Sequence, residues 1–328
     1  MKKIVALVLA LVMVLACASA FAEGSLVLYY SHASDWSDPI IKAFAEKYDV
    51  QVEMVGLGTG ELISRMQAEK ANPQGDILWG GVAESYIPIA DLLESYQSTE
   101  VPALQPGAYD TETFKWHAFD IEPMVMIYST ALVDEADAPT SWADLLDEKW
   151  VGQIASADPL KSSSAFGVTM GIVAAYGYEE GGYDFLEKFV PQLDGKILSS
   201  SSGTFKGVSD KEYAIGLTYE EAAMKYIAAG SEMAIVYPTE GTNLVYSPVA
   251  IIAGGPNTEN AKLFVDYVLS KEVQEQLGAL NRRTSRSDVV VPDNFVPFEE
   301  IPNANVDSKW VVEHTEEFYS VWEDLIIQ

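Results

Sequence analysis

Cysteine is nearly absent: Cys17 is the only one in 328 residues. Disulfide scaffolding, cysteine catalysis and thiolate metal sites are therefore excluded for everything downstream of it. Histidine is almost as scarce. His32, His117 and His314 lie far apart and none belongs to an H-E-x-x-H arrangement, so that type of zinc helix is absent. Positive charge is short too, with 20 Lys+Arg against 49 Asp+Glu and a net charge of −29. Nucleic-acid affinity is built mostly from Lys and Arg neutralising phosphates, so such a chain repels a polyanion and no nucleic acid is expected as a partner. The stretch GLGTGE at 56–61 places Glu61 where the dinucleotide fingerprint G-x-G-x-x-G needs glycine, and no G-x-x-x-x-G-K-[ST] phosphate loop occurs. After residue 22 no apolar run approaches the 18 residues of a spanning helix. There is no internal repeat and no low-complexity linker; Ser199–Ser202 is the longest homopolymeric run.

What is present is a chain with 48% hydrophobic and 11% aromatic residues, enough to bury a core, and long enough for two lobes. Its first 22 residues have the layout of a secretory signal peptide. Lys2 and Lys3 precede an apolar run at 4–16, and small residues at Ala20 and Ala22 favour cleavage after Ala22. The expected location is the periplasm or the outer face of the cytoplasmic membrane. Lipid attachment at Cys17 is the alternative, opposed by the bulky Leu15 two residues before it.

From residue 26 short apolar runs alternate with amphipathic ones. Strands are predicted at 26–30, 50–55 and 76–79, with helices at 39–47 and 60–71; Pro39 opens the first helix. The same alternation returns as strands at 153–156, 196–198, 214–219 and 233–237, with helices at 165–176, near 205 and at 220–229. A strand at 249–253, a helix at 257–269 and a last helix around 311–325 complete the reading. Alternation of this kind predicts mostly parallel sheets covered by helices, an α/β fold of two lobes. The lobes are assigned to residues 23–122 with 247–283, and 123–246 with 284–328.

Ligands of open parallel sheets bind beyond the carboxyl ends of the strands. There the sequence places Ser31 and His32 after the first strand, Thr59 and Gly60 after the second, and Trp79 and Gly80 at the end of the third. Gly58, Thr59 and Gly60 open a helix, where unpaired N–H groups attract an anion that the glycines let approach. The second lobe repeats the device with Ser163 and Ser164 before one helix and Ser201 before another. Tyr219, Glu220 and Glu240 supply a phenol and two carboxylates at the same edge, suited to ligand hydroxyls or an amine. Trp79 is the aromatic residue expected to wall the ligand. Arg282, Arg283 and Arg286 form the most basic stretch, read chiefly as neutralising acidic neighbours.

Five segments carry a resemblance: GTGELISRMQAEKANPQGDILWGG at 58–81, TFKGVSDKEYAIGLTYEEAA at 204–223, IVYPTEGT at 235–242, VAIIAGGPNTENAKLFVDYVLSKEVQEQ at 249–276 and RRTSRSDV at 282–289. Together the chain resembles the type 2 periplasmic solute-binding proteins of ABC importers, in the branch of ferric-iron, phosphonate and hexose-phosphate binders. The resemblance implies two α/β lobes closing on a solute in the cleft between them, delivery to an ABC permease and its ATPase, a monomer, no cofactor and no catalysis. It implies a small phosphorylated or phosphonate solute as ligand. Ferric binders carry two adjacent tyrosines where this chain reads Tyr219-Glu220, so ferric iron is the alternative ligand, with His32, Tyr219 and Glu220 as its metal set. A secreted hydrolase is the alternative from another functional class.

Overall fold

The protein is described here by a computed structural model covering residues 24–327 except 33, 180 and 291–294. The signal segment and its cleavage point lie outside the described residues. The chain opens as β1 (Ser25–Tyr30), α1 (Ser34–Tyr48), β2 (Gln51–Gly56), α2 (Thr59–Ala68) and β3 (Ile77–Trp79), then runs through short 3-10 turns into the long β4 (His117–Ser129). A second series follows: β5 (Ile154–Ala157), α3 (Ser163–Tyr176), α4 (Gly181–Phe189), β6 (Ile197–Leu198), α5 (Ser201–Ser209), β7 (Ile215–Tyr219), α6 (Glu220–Ala228) and β8 (Met233–Val236). Return strand β9 (Leu244–Ile251), helices α7 (Thr258–Leu269) and α8 (Lys271–Ala279), and the closing helix α9 (Ser308–Ile327) complete it.

The strands order as β2-β1-β3-β9-β4-β7-β5-β6, with β8 on β4. The outer pairs β1–β2, β1–β3, β5–β6 and β5–β7 are parallel, as the alternating sequence predicts. The centre is antiparallel: β4 pairs with β9 through its first half and with β7 and β8 through its second. These two strands carry the chain from one lobe to the other, and the lobe limits at 122/123 and 246/247 fall inside them. Residues 284–287 still belong with the first lobe. Gln105 N–H donates to Ser285 O at 2.7 Å, and Arg286 pairs with Glu100 and Asp288, so the return to the second lobe comes later than residue 284.

Each lobe has its own core. Leu28, Phe44, Trp79, Phe119 and Phe264 meet in the first, Trp142, Phe185, Phe318 and Trp322 in the second. Each such side chain contributes about 1.5–3 kcal/mol by leaving water. β4 escaped the sequence reading because nearly every residue in it is buried, leaving no alternation to detect. Helix α1 begins at Ser34, five residues before the Pro39 expected to open it. Pro39 withholds its N–H from one carbonyl in the second turn only, while Ile40, Ile41 and Phe44 on the buried face hold the helix.

Candidate functional site

Polar side chains from both lobes line a cavity of about 310 Å³ between them. Helix α3 supplies Ser163 and Ser164 from its first turn, α5 supplies Ser201, and Tyr219 and Glu221 stand at the junction of β7 and α6. β4 adds Glu122, β9 is preceded by Asn243, and Val82 and Glu84 reach in from the loop after β3.

Local structure fixes the α3 edge. Ser162 caps the helix, its Oγ accepting the Ala165 N–H at 3.3 Å, which turns the first-turn serines toward the cavity. The helix passes so close to Asn243 that a Cβ on Gly171 would lie 2.9 Å from the Asn243 nitrogen. Asn243 in turn donates from Nδ2 to Gly167 O at 3.1 Å, so the amide is tied to the helix.

Arg282 forms the opposite wall. Buried Gln274 accepts the Ser285 N–H at 2.9 Å and donates to Phe119 O at 2.7 Å, pinning the segment that follows α8 against β4. Arg282 then bonds Asp120 Oδ2 at 2.5 Å, lies 3.6 Å from Glu122 and stacks 4.2 Å over the Trp36 ring. Asp120 and Glu122 alternate on one strand face, which is why a single guanidinium reaches both.

The cavity carries more acid than base. Burial, and then Asp120, push Glu122 up to about 8. Glu221 is likewise raised by burial and by Asp120, and Tyr219 is pushed up to about 12 by burial, then by Glu221 and Glu122. Each shift comes first from burial, and Arg282 offsets it only in part.

The structure places the other sequence-derived candidates differently. Ser31, His32, Thr59 and Gly80 do come together at the first lobe's strand ends: Thr59 Oγ1 donates to Ser31 Oγ at 2.9 Å, and a Cβ on Gly80 would strike Ser31 Oγ at 2.5 Å and His32 Nε2 at 2.9 Å. None of these four lines the cavity, whose wall on this lobe begins at Val82. Gly60 stands exposed beside them, its carbonyl accepting from Ser64 Oγ at 2.8 Å.

Three assignments are corrected. Trp79 is fully buried among Phe119, Phe264 and His32 and cannot wall a ligand. Glu240 is committed to the Trp142 and Ala143 N–H groups at 3.0 and 3.1 Å and to Tyr176. Glu220 is 1% exposed and accepts from Arg283 Nε and Nη2 at 2.8 and 2.6 Å, with Tyr237 as a further donor. With Glu220 engaged this way, and His32 packed against Trp36, Trp79 and Phe119 in the first lobe, the His32, Tyr219, Glu220 metal set is not assembled. Among the described residues no group of three or more His, Cys, Asp or Glu is arranged to hold a metal ion.

Sequence reasoning missed Glu122, Glu221, Asn243 and Glu84. The D-x-E spacing at 120 and 122 is the one signal that points to a shared acidic face before the fold is known.

The chain matches the family described as bacterial extracellular solute-binding protein over residues 39–302. It is 31% identical to an uncharacterized protein of Haemophilus influenzae over 78% of this chain and 76% of that one. A Salmonella typhimurium periplasmic protein assigned to 2-aminoethylphosphonate binding is 25% identical over 89% of this chain and 88% of its own. Among solved structures, the periplasmic binding protein AfuA from Actinobacillus pleuropneumoniae, with fructose-6-phosphate bound, superimposes with a TM-score of 0.77 at 24% identity, covering 93% of this chain and 99% of that one. The ferric binding protein from Campylobacter jejuni gives a TM-score of 0.77 at 18% identity, covering 92% and 99%. At these identities the structural likenesses establish the fold. Among the described residues no helix is long and apolar enough to cross a membrane. By its family match over most of its length, the chain belongs to the bacterial extracellular solute-binding proteins.

Proposed function

We propose that this receptor captures a small phosphorylated or phosphonate solute, a sugar phosphate or an aminoalkylphosphonate, between its lobes and passes it unchanged to the permease. The observation that carries the reading is the pairing of chemistries in one cavity. Ser163, Ser164 and Ser201 offer hydroxyls at helix starts on one side, where N–H groups and the helix dipole favour an anion. Glu122 and Glu221 line the same cavity, where they take ligand hydroxyls or an ammonium group. Arg282 is shared between Asp120 and Glu122, so an ammonium there adds a second cation to an acid-rich cavity, which favours the aminoalkylphosphonate of the two.

At about 310 Å³ the cavity suits a small solute. The neighbours named for phosphonate and sugar-phosphate ligands are consistent with this reading. The receptor acts as a monomer, exported by its signal segment, and carries out no chemistry on its ligand. Ferric iron is the second reading, favoured by Tyr219 beside Glu122 and Glu221 and by relatives named for iron uptake. Arg282 in the same cavity opposes a trivalent cation.

A thermal-shift series with 2-aminoethylphosphonate, fructose-6-phosphate, inorganic phosphate and ferric citrate tests the reading. A ligand present at 100 times its dissociation constant adds about 2.7 kcal/mol, a shift of a few degrees. Stabilisation by an organophosphorus compound, recovered unaltered afterwards, is the expected result. Stabilisation by ferric citrate alone, or conversion of the ligand to product, overturns it.

A further inference from the structure

The two lobes also touch beside the return strand β9, where Glu84, Tyr246 and Ser308 line a common cavity. Ser308 at the start of α9 donates from Oγ to Glu84 Oε1 at 2.8 Å, and Glu84 belongs to the first lobe while α9 belongs to the second. Both ends of this contact are anchored on their own lobes. On the first, Tyr86, 1% exposed, donates from its hydroxyl to Gly80 O at 3.0 Å and Leu78 O at 3.2 Å, which ties the 3-10 turn Ala83–Tyr86 to the end of β3. On the second, Tyr178 packs against Trp310 with ring centroids 4.3 Å apart and accepts the Asp307 N–H at 2.6 Å, while Val311, Phe318 and Trp322 sink α9 into the core.

The hydrogen bond has an apolar companion, because Val82 of the first lobe packs against the hydrophobic cluster of the second. Glu84, with Asn243 and Val306, is shared by the ligand cavity and an adjoining one of about 360 Å³, which is also lined by Tyr246, Asn303, Asn305 and Ser308. The segment is set by Gly80 and Gly81, whose φ values of +120° and +80° hold the turn in conformations that other residues resist. A bond between two anchored groups loses little entropy when it forms, so its full strength acts on the separation of the lobes.

We propose that Glu84 and Ser308 form a clasp that biases the receptor toward the closed state even without solute, making Glu84 a positioning residue for the cleft it borders. The inference goes beyond the identity of the ligand and stands whichever solute is bound. Losing a hydrogen bond to a charged acceptor moves the open–closed equilibrium about tenfold toward open.

Small-angle X-ray scattering on the solute-free receptor tests it, comparing wild type with Ser308→Ala, Glu84→Gln and Lys309→Ala. Asp307 caps α9 by accepting the Lys309 and Trp310 N–H groups at 2.9 and 3.2 Å, so the helix survives loss of the Ser308 hydroxyl, and circular dichroism checks that it does. Lys309 makes the neighbouring pair with Glu112 at 3.8 Å, with both side chains more than 70% exposed, and serves as control because such a pair contributes little. Ser308→Ala and Glu84→Gln are expected to raise the radius of gyration together while Lys309→Ala leaves it unchanged. Superimposable scattering from all four proteins, or an equal expansion in Lys309→Ala, overturns the clasp.

Discussion

Arg283 grips both carboxylate oxygens of Glu220, at 2.8 and 2.6 Å, with each side chain at most 2% exposed. Glu220 opens α6 in the second lobe, whereas Arg283 follows α8 on the first, where Ile121 N–H donates to Arg283 O at 3.0 Å. The pair therefore fastens the lobes at the level of the hinge and takes Glu220 out of the cleft.

Glu220→Gln should accordingly act on stability rather than on recognition. Removing one charge of a buried pair leaves the other uncompensated, at a cost of about 3–5 kcal/mol. Urea unfolding should show a lower midpoint with an unchanged slope, while the affinity of the folded fraction for its solute holds. A variant as stable as wild type with weakened binding would return Glu220 to the ligand site.

Glu122 gives the solute-free protein a distinctive pH response. The folded protein keeps this proton to about 8, whereas the unfolded chain releases it near 4.5, so the folded state binds the extra proton between those values. Stability then falls as pH rises from about 4.5 to 8 and levels off above. His32 works in the opposite sense: its folded pKa of about 3 lies below the unfolded 6.5, so its contribution grows from pH 3 to 6.5 and is constant beyond. The interval from 6.5 to 8 lies above the histidine transition and leaves the raised carboxylates, among which Glu122→Gln singles out Glu122. Melting temperatures across it should decline in wild type and decline less in Glu122→Gln; equal slopes would show that Glu122 is ionised throughout.

The α3 serines and the first-lobe hydroxyls make separable contributions. Ser164 lines the cavity, while the Thr59 hydroxyl is occupied with Ser31. Calorimetric titration with 2-aminoethylphosphonate should show Ser164→Ala weakened by at least about tenfold, because a lost hydrogen bond to a charged group is worth roughly 1.5–3 kcal/mol. Thr59→Ala should stay within a few fold of wild type. The reverse order would move the phosphonate to the first lobe.

Gly81→Ala probes the turn that leads to Val82 and Glu84. A Cβ there would lie 2.6 Å from Thr59 Cγ2 at a φ of +80°, a steric and torsional conflict costing about 1–3 kcal/mol. Its melting point should drop by several degrees, whereas Gly195→Ala, also at positive φ but with nothing within 4 Å, should lose less. Equal losses would mean that the backbone torsion alone sets the cost.

The amino-acid sequence by itself determined the alternating strands and helices, the hydroxyl-rich helix starts at Ser163, Ser164 and Ser201, and the family, because these are written in local periodicity and short contiguous motifs. Tertiary structure alone decided which acid faces the solute. Glu220 and Glu221 are chain neighbours at one helix start, and a rotation of about 100° per residue sends one to Arg283 and the other into the cavity. Arg282 and Arg283 part in the same way, toward Asp120 and Glu220, residues 162 and 63 positions distant. Trp79 looked available because it ends a strand, yet the packing of Phe119 and Phe264, brought in by β4 and α7, closes over it. Which face of an element meets which partner is fixed by long-range register, a property of the folded chain that no local pattern encodes.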